Sequence, residues 1–225
     1  MIQKVLEAGK SLERALFPSF CLNCTQATPE EPPAWRWLCL KCHQILVPRW
    51  QKVSYRPEIE ESYHIFDYQK DFLAKRLIQS LKYNFVKEIA ASLGVALEKE
   101  RLHIKQLNFD LTVPVPLHAR RLKERGFNQS FLISQKISEI TEKQILTDVL
   151  VRNKSRLPQA KIKNRAERAK NIQNIFSCVR PNLIAEKTIL LVDDVATTGA
   201  TLKECARSLK TAGALKILSF TLAQD

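Results

Sequence analysis

The chain has 225 residues, 45% of them hydrophobic, enough for one ordinary domain plus a small appendage and enough to exclude wholesale disorder. Lys and Arg number 36 against 23 Asp and Glu, and the net charge of +13 favours polyanionic partners: nucleic acid, phosphorylated small molecules or an anionic membrane surface. No apolar run approaches the ~20 residues that span a bilayer, and Lys4, Glu7, Lys10, Glu13 and Arg14 break up the N-terminal stretch, so neither a transmembrane segment nor a signal peptide is expected. The expected setting is cytoplasmic, with the inner face of the membrane as a second place. There, paired cysteines point to metal or redox chemistry before disulfides.

In chain order, Ile2, Val5, Leu6, Leu12 and Leu16 predict a short amphipathic helix that stops at Pro18. Residues 18–50 are Pro-rich and aperiodic, the composition of a small metal-stapled unit. From Val53 onward the pattern is α/β. A strand is predicted over 63–68, followed by a helix from the spacing of Leu73, Leu77 and Leu81 and another over 89–102. A short apolar strand is predicted over 111–115, its prolines turning the chain at its end, and then a helix over 127–140. Residues 150–171 are strongly basic and read as a partly mobile loop. The pattern closes with a buried strand over 188–192, a helix over 201–212 ending at Gly213, and a strand over 215–222. Strands alternating with helices imply a mainly parallel sheet covered on both faces. The expected division is 1–52 for the N-terminal helix and cysteine unit, and 53–225 for the α/β domain.

Cys21-Leu-Asn-Cys24 and Cys39-Leu-Lys-Cys42 form two CxxC pairs separated by 14 residues. Two such knuckles complete a tetrahedral sulfur shell around one zinc ion, and a closed four-thiolate shell is structural rather than catalytic. A pair of disulfides is the competing reading. His43 is expected at the surface rather than as a ligand, and Cys178 and Cys205 as small core residues.

Residues 189–201 (Ile-Leu-Leu-Val-Asp-Asp-Val-Ala-Thr-Thr-Gly-Ala-Thr) are the most informative stretch. An apolar strand delivers Asp193 and Asp194 to its carboxyl end, where open α/β sheets bind ligands. A small-residue turn then runs into a helix, whose N-terminal amides, with the hydroxyls of Thr197, Thr198 and Thr201, make an anion cradle. Carboxylates beside such a cradle repel phosphate unless they face something else, and ribose hydroxyls, directly or through Mg2+, suit them. The competing reading is an ordinary strand–loop–helix whose acids cap the helix.

This segment closely resembles the phosphoribosyl pyrophosphate (PRPP) signature of type I phosphoribosyltransferases. The resemblance implies that Asp193 and Asp194 hold the ribose 2′- and 3′-hydroxyls. It also implies that Val195, Ala196, Thr197, Thr198, Gly199, Ala200 and Thr201 wrap the 5′-phosphate. In that family a second loop receives pyrophosphate. Residues 113–121 (Val-Pro-Val-Pro-Leu-His-Ala-Arg-Arg) fall where it belongs, with Arg120, Arg121 and Arg125 as diphosphate partners. An ordinary solvated basic helix start is the alternative for those arginines.

Together, the N-terminal CxxC pairs, Leu81-Lys-Tyr83, residues 113–130 and residues 192–201 are similar to the ComF family, over nearly the whole chain. That resemblance implies a type I phosphoribosyltransferase fold behind a zinc-ribbon-like module. It further implies cytoplasmic handling of incoming single-stranded DNA in natural transformation, alongside other DNA-uptake or recombination proteins. Where the family commonly has a glycine-containing turn after Leu-Lys-Tyr, this chain has Asn84-Phe85. The basic stretch supplies candidate DNA contacts in Arg152, Lys154, Arg156, Lys161, Lys163, Arg165, Arg168 and Lys170, with Arg125 nearby. It equally suits the hood that covers PRPP in related enzymes. Trp35, Trp37 and Phe127 are stacking candidates or core residues. The second reading is an active enzyme that transfers phosphoribosyl from Mg-PRPP to a nitrogen base. Thr197 lacks the acid that several purine-salvage members carry at that position, which disfavours that chemistry without excluding transfer.

Overall fold

The computed structural model describes residues 19–29, 32–83, 87–153 and 175–225. The N-terminal helix expected before Pro18 and most of the basic stretch, 154–174, lie outside the described residues. Two short helices, α1 (Pro33–Arg36) and α2 (Leu40–Ile45), belong to the cysteine unit. After β1 (Gln51–Val53) and β2 (Glu61–Asp67) come α3 (Phe72–Tyr83), α4 (Ile89–Lys99) and α5 (Arg101–Lys105). Next are β3 (Leu111–Pro114), α6 (Ala119–Arg125), α7 (Gln129–Thr141), β4 (Gln144–Ile145), β5 (Leu150–Arg152) and β6 (Phe176–Cys178). The chain finishes with β7 (Thr188–Ala196), α8 (Ala200–Thr211) and β8 (Lys216–Gln224).

The six-stranded sheet has the order β1-β2-β8-β7-β3-β4 and is parallel except for the β1 edge. Strand alternation along β7 explains why both faces are covered. Leu190 and Val192 pack among Leu77, Ile78 and Leu81 of α3, Leu93 and Leu97 of α4 and Ile133 and Ile137 of α7. Ile189 and Leu191 pack on the other face with Leu202, Cys205, Ala206 and Leu209 of α8. Residues buried on both sides read as a continuous apolar run, which is what the sequence of β7 shows.

Three sequence expectations change. The strand expected over 188–192 continues to Ala196, so Asp193 and Asp194 lie on β7, with Asp193 registered beside Thr221 of β8. Residues 150–152 form β5, paired antiparallel with β6, rather than loop; Leu150 and Phe176 bury against the α8 side and supply the reason. His43 is buried rather than at the surface, its ring nitrogen Nε2 2.8 Å from the Ala34 carbonyl. Cys205 is core as expected, and Cys178 is half-buried.

The cysteine unit is not a loose appendage. Cys21, Leu38, Cys42 and Leu46 belong to the same apolar cluster as α3 and α4. The Ser92 hydroxyl on α4 donates to the Ala34 carbonyl at 2.5 Å. Lys99 donates to the carbonyls of His43 and Leu46 at 2.8 and 2.9 Å, satisfying the open end of α2.

Candidate functional site

The four sulfurs of Cys21, Cys24, Cys39 and Cys42 all lie within 4.8 Å of one another. Sulfurs around a tetrahedral zinc stand about 3.8 Å apart, from Zn–S bonds of ~2.3 Å, and Cys24 and Cys39 are at 3.6 Å. The donor set therefore fits a thiolate metal site. Burial works against the Cys21 thiolate, but hydrogen bonds from the backbone of Cys24, Cys39 and Asn23 outweigh it and bring the group down to about 6. Burial pushes Cys42 up to about 12, against a hydrogen bond from the Asn23 side chain at 3.3 Å.

The second site is built at the carboxyl end of β7. Neighbouring residues of a strand point in different directions, and the two carboxylates find different partners. Asp193 Oδ1 accepts from the Ser130 hydroxyl at 2.9 Å and from the Asp194 backbone amide at 2.9 Å. Asp194, buried, forms an ion pair with the Lys82 ammonium, Nζ lying 2.8 Å from Oδ1. Burial, with the neighbouring Asp194 charge, pushes Asp193 up to about 7, although Ser130, the Asp194 amide and Lys82 pull the other way. The seat for Ser130 is prepared locally. Gly126 ends α6 in the left-handed conformation, and Asn128 caps α7 by accepting from the Ser130 amide at 3.0 Å. The Asn128 amide group also donates to the Val115 carbonyl at 3.0 Å, tying the β3 loop to the start of α7.

Beyond the carboxylates, the turn into α8 is held from behind by the end of β8. The Asp225 amide donates to the Ala196 carbonyl at 2.8 Å, and the Gln224 side chain donates to the Thr197 carbonyl at 2.7 Å. In a trans peptide the N–H points opposite its carbonyl, so these two bonds aim the amides of Thr197 and Thr198 away from β8. Among the described residues no side chain caps α8, whose first amides are left without an intrahelical partner. Gly199 takes φ 71°, and a Cβ there would stand 2.5 Å from Cε1 of Tyr55. Glycine is required on both counts, strain and space. The Tyr55 hydroxyl in turn donates to Gln224, completing the support.

The structure thus brings Asp193, Asp194 and residues 195–201 to one strand-tip turn. Arg152, on β5, is half-buried and stands over the Phe176 ring at 5.5 Å, and it feels the charges of Arg121 and Asp193 without a direct contact to either carboxylate. Arg120 is exposed on α6 and pairs with Glu124 at 2.8 Å, without a contact to the carboxylates. Arg125 stands over the Tyr83 ring at 5.8 Å. Lys154, Arg156, Lys161, Lys163, Arg165, Arg168 and Lys170 lie outside the described residues. Trp37 and Phe127 pack against the core as partly buried side chains. Sequence reasoning missed Lys82, Ser130, Tyr55 and Gln224 as parts of the site. Only the Leu-Lys-Tyr and Asn-Gln-Ser strings hinted at the first two, since each contact spans a long stretch of chain.

Residues 131–225 match the phosphoribosyl transferase domain family. The DNA utilization protein YhgH of Escherichia coli (strain K12) is 30% identical over 213 residues, covering 91% of this chain and 89% of the relative. Competence protein F of Haemophilus influenzae is 30% identical over 218 residues, covering 94% and 81%. A solved structure of the allosteric regulatory enzyme of purine biosynthesis aligns with 57% of this chain and 24% of its own, at 20% identity and a TM-score of 0.38. Similarity to two such relatives across the cysteine unit, the α/β domain and the strand-tip turn makes this chain a member of the ComF family of competence proteins, with a phosphoribosyltransferase domain behind a four-cysteine module.

Proposed function

We propose that this chain handles incoming single-stranded DNA in natural transformation and carries a pocket for Mg-PRPP or a related ribose 5-phosphate. The observation that carries the pocket is the pairing of two carboxylates with outward-aimed amides at one strand tip. In this reading Asp193 and Asp194 accept from the ribose hydroxyls, while the amides and hydroxyls of residues 196–201 surround the 5′-phosphate at the N-terminus of α8. Arg152, which feels the charges of Asp193 and Arg121, and Arg121 itself are the proposed sources of positive charge for a diphosphate. Mg2+, when bound with the diphosphate, would neutralise its charge. The four cysteines are proposed to hold one structural zinc. The DNA role draws on the names of the relatives and on the net charge of +13. It places the protein on the cytoplasmic side of the membrane; among the described residues, no helix is long and apolar enough to cross one.

Calorimetry with PRPP and Mg2+ tests the pocket. The wild type is expected to bind, and Asp193→Ala with Asp194→Ala to abolish binding. A wild type that binds no PRPP would overturn the reading. Pyrophosphate release across a panel of bases, with and without single-stranded DNA, then separates a binding protein from a transferase.

A further inference from the structure

Resting on the sugar-phosphate reading above, we propose that Lys82 is the positioning residue of the acidic pair, locking Asp194 so that the two carboxylates present one free oxygen each to a vicinal diol. Lys82 stands on the last turn of α3, and its Nζ is 2.8 Å from Asp194 Oδ1, the two side chains being 18% and 11% exposed. Asp193 is held in the same way through its own Oδ1, by Ser130 and the Asp194 amide. Among the described residues, no hydrogen bond or ion pair reaches Asp193 Oδ2 or Asp194 Oδ2.

A carboxylate's terminal torsion is soft, with no sharp staggered well to hold it. An aspartate tied at one oxygen keeps the other at a set place, whereas an untied one rotates away from a ligand. Two such ties, from different elements, leave two acceptors side by side at the strand tip. A buried carboxylate also needs a partner to remain charged, and the ammonium provides it without using the second oxygen. The adjacent Tyr83 carries the Arg125 guanidinium over its ring at 5.8 Å. The last turn of α3 therefore links the tip of β7 to the basic helix α6.

The discriminating measurement compares ribose 5-phosphate, which has the diol, with inorganic phosphate, which meets only the 196–201 turn. Lys82→Met is expected to weaken ribose 5-phosphate about tenfold in calorimetry, the scale of one charge-assisted hydrogen bond, and to leave inorganic phosphate within about twofold. Lys82→Arg is expected to restore most of the loss. Lys82→Ala, which removes the tie altogether with a small side chain, reads the same ratio should the Met variant fail to fold. Loss of both ligands in parallel, or of neither, would reject a positioning role while leaving the pocket intact. A wild type that binds inorganic phosphate as well as ribose 5-phosphate would instead reject the sugar-phosphate reading, and this proposal with it.

Discussion

Asp193 concentrates the chemistry of the site in one side chain. In the unfolded chain its carboxyl loses its proton near the ordinary 3.8, whereas in the folded protein burial and the Asp194 charge hold the proton up to about 7. Between those values the folded state binds more protons than the unfolded one, so this group's contribution to stability is complete below 3.8 and is lost as pH rises through 7. Asp193→Asn keeps an oxygen for Ser130 and removes the buried charge. It is expected to raise stability at pH 8 by about 1–2 kcal/mol over the wild type, discounted because Asp193 still reaches solvent. The gain should vanish near pH 4, and thermal melts at the two pH values check it. Equal gains at both would show that charge is not the cause. An acidic group that costs stability in the resting protein is what a binding site, rather than a structural ion pair, is built from.

At the scale of elements, the cysteine unit and α4 are joined more closely than a CxxC spacing implies. Lys99 and Ser92 bond to carbonyls of the unit, and Cys21 and Cys42 are themselves part of the apolar cluster beneath it. Removing a metal from such a unit should be felt by the sheet and not only locally. A strong chelator is expected to lower the main melting midpoint by about 10 °C, corresponding to ~3 kcal/mol in a chain of this size. A small separate transition with the main midpoint unmoved would show that the unit folds independently. On that outcome rests the proposed division of the chain into 1–52 and 53–225. Elsewhere the supporting elements act in pairs: the end of β8 sets the peptide planes of the turn, and the start of α7 sets Asp193.

For the whole molecule the dominant quantity is charge. With a net +13, association with single-stranded DNA should be mainly electrostatic and release counterions. Raising monovalent salt from about 0.05 to 0.2 M is expected to weaken binding about 50-fold if some four phosphates are engaged. Fluorescence anisotropy with a labelled oligonucleotide measures this, and no binding at the lower salt would defeat the DNA reading. The acidic pair and the basic surface also make different demands. The first needs a held geometry, and the second only proximity of charge, so a variant of one should leave the other intact.

The elements that lie in one unbroken local pattern were open to the sequence alone: the apolar run of β7, the four-residue spacing of α3, the CxxC pairs and the small-residue turn of 195–201. Each depends on short-range rules, namely strand burial, helical periodicity, metal-ligand spacing and left-handed glycine. Local patterning also explains the errors, since an apolar run marks where a strand is buried and not where its ladder ends, so Asp193 and Asp194 were expected just past the strand rather than on it. What tertiary structure alone decided is partnership. Lys82 meets Asp194, Ser130 meets Asp193, and Tyr55 fills the space that forbids a side chain at Gly199. These contacts join residues far apart in the chain, and no periodicity encodes them, because they exist only once the parallel sheet has brought the helix ends to a common edge.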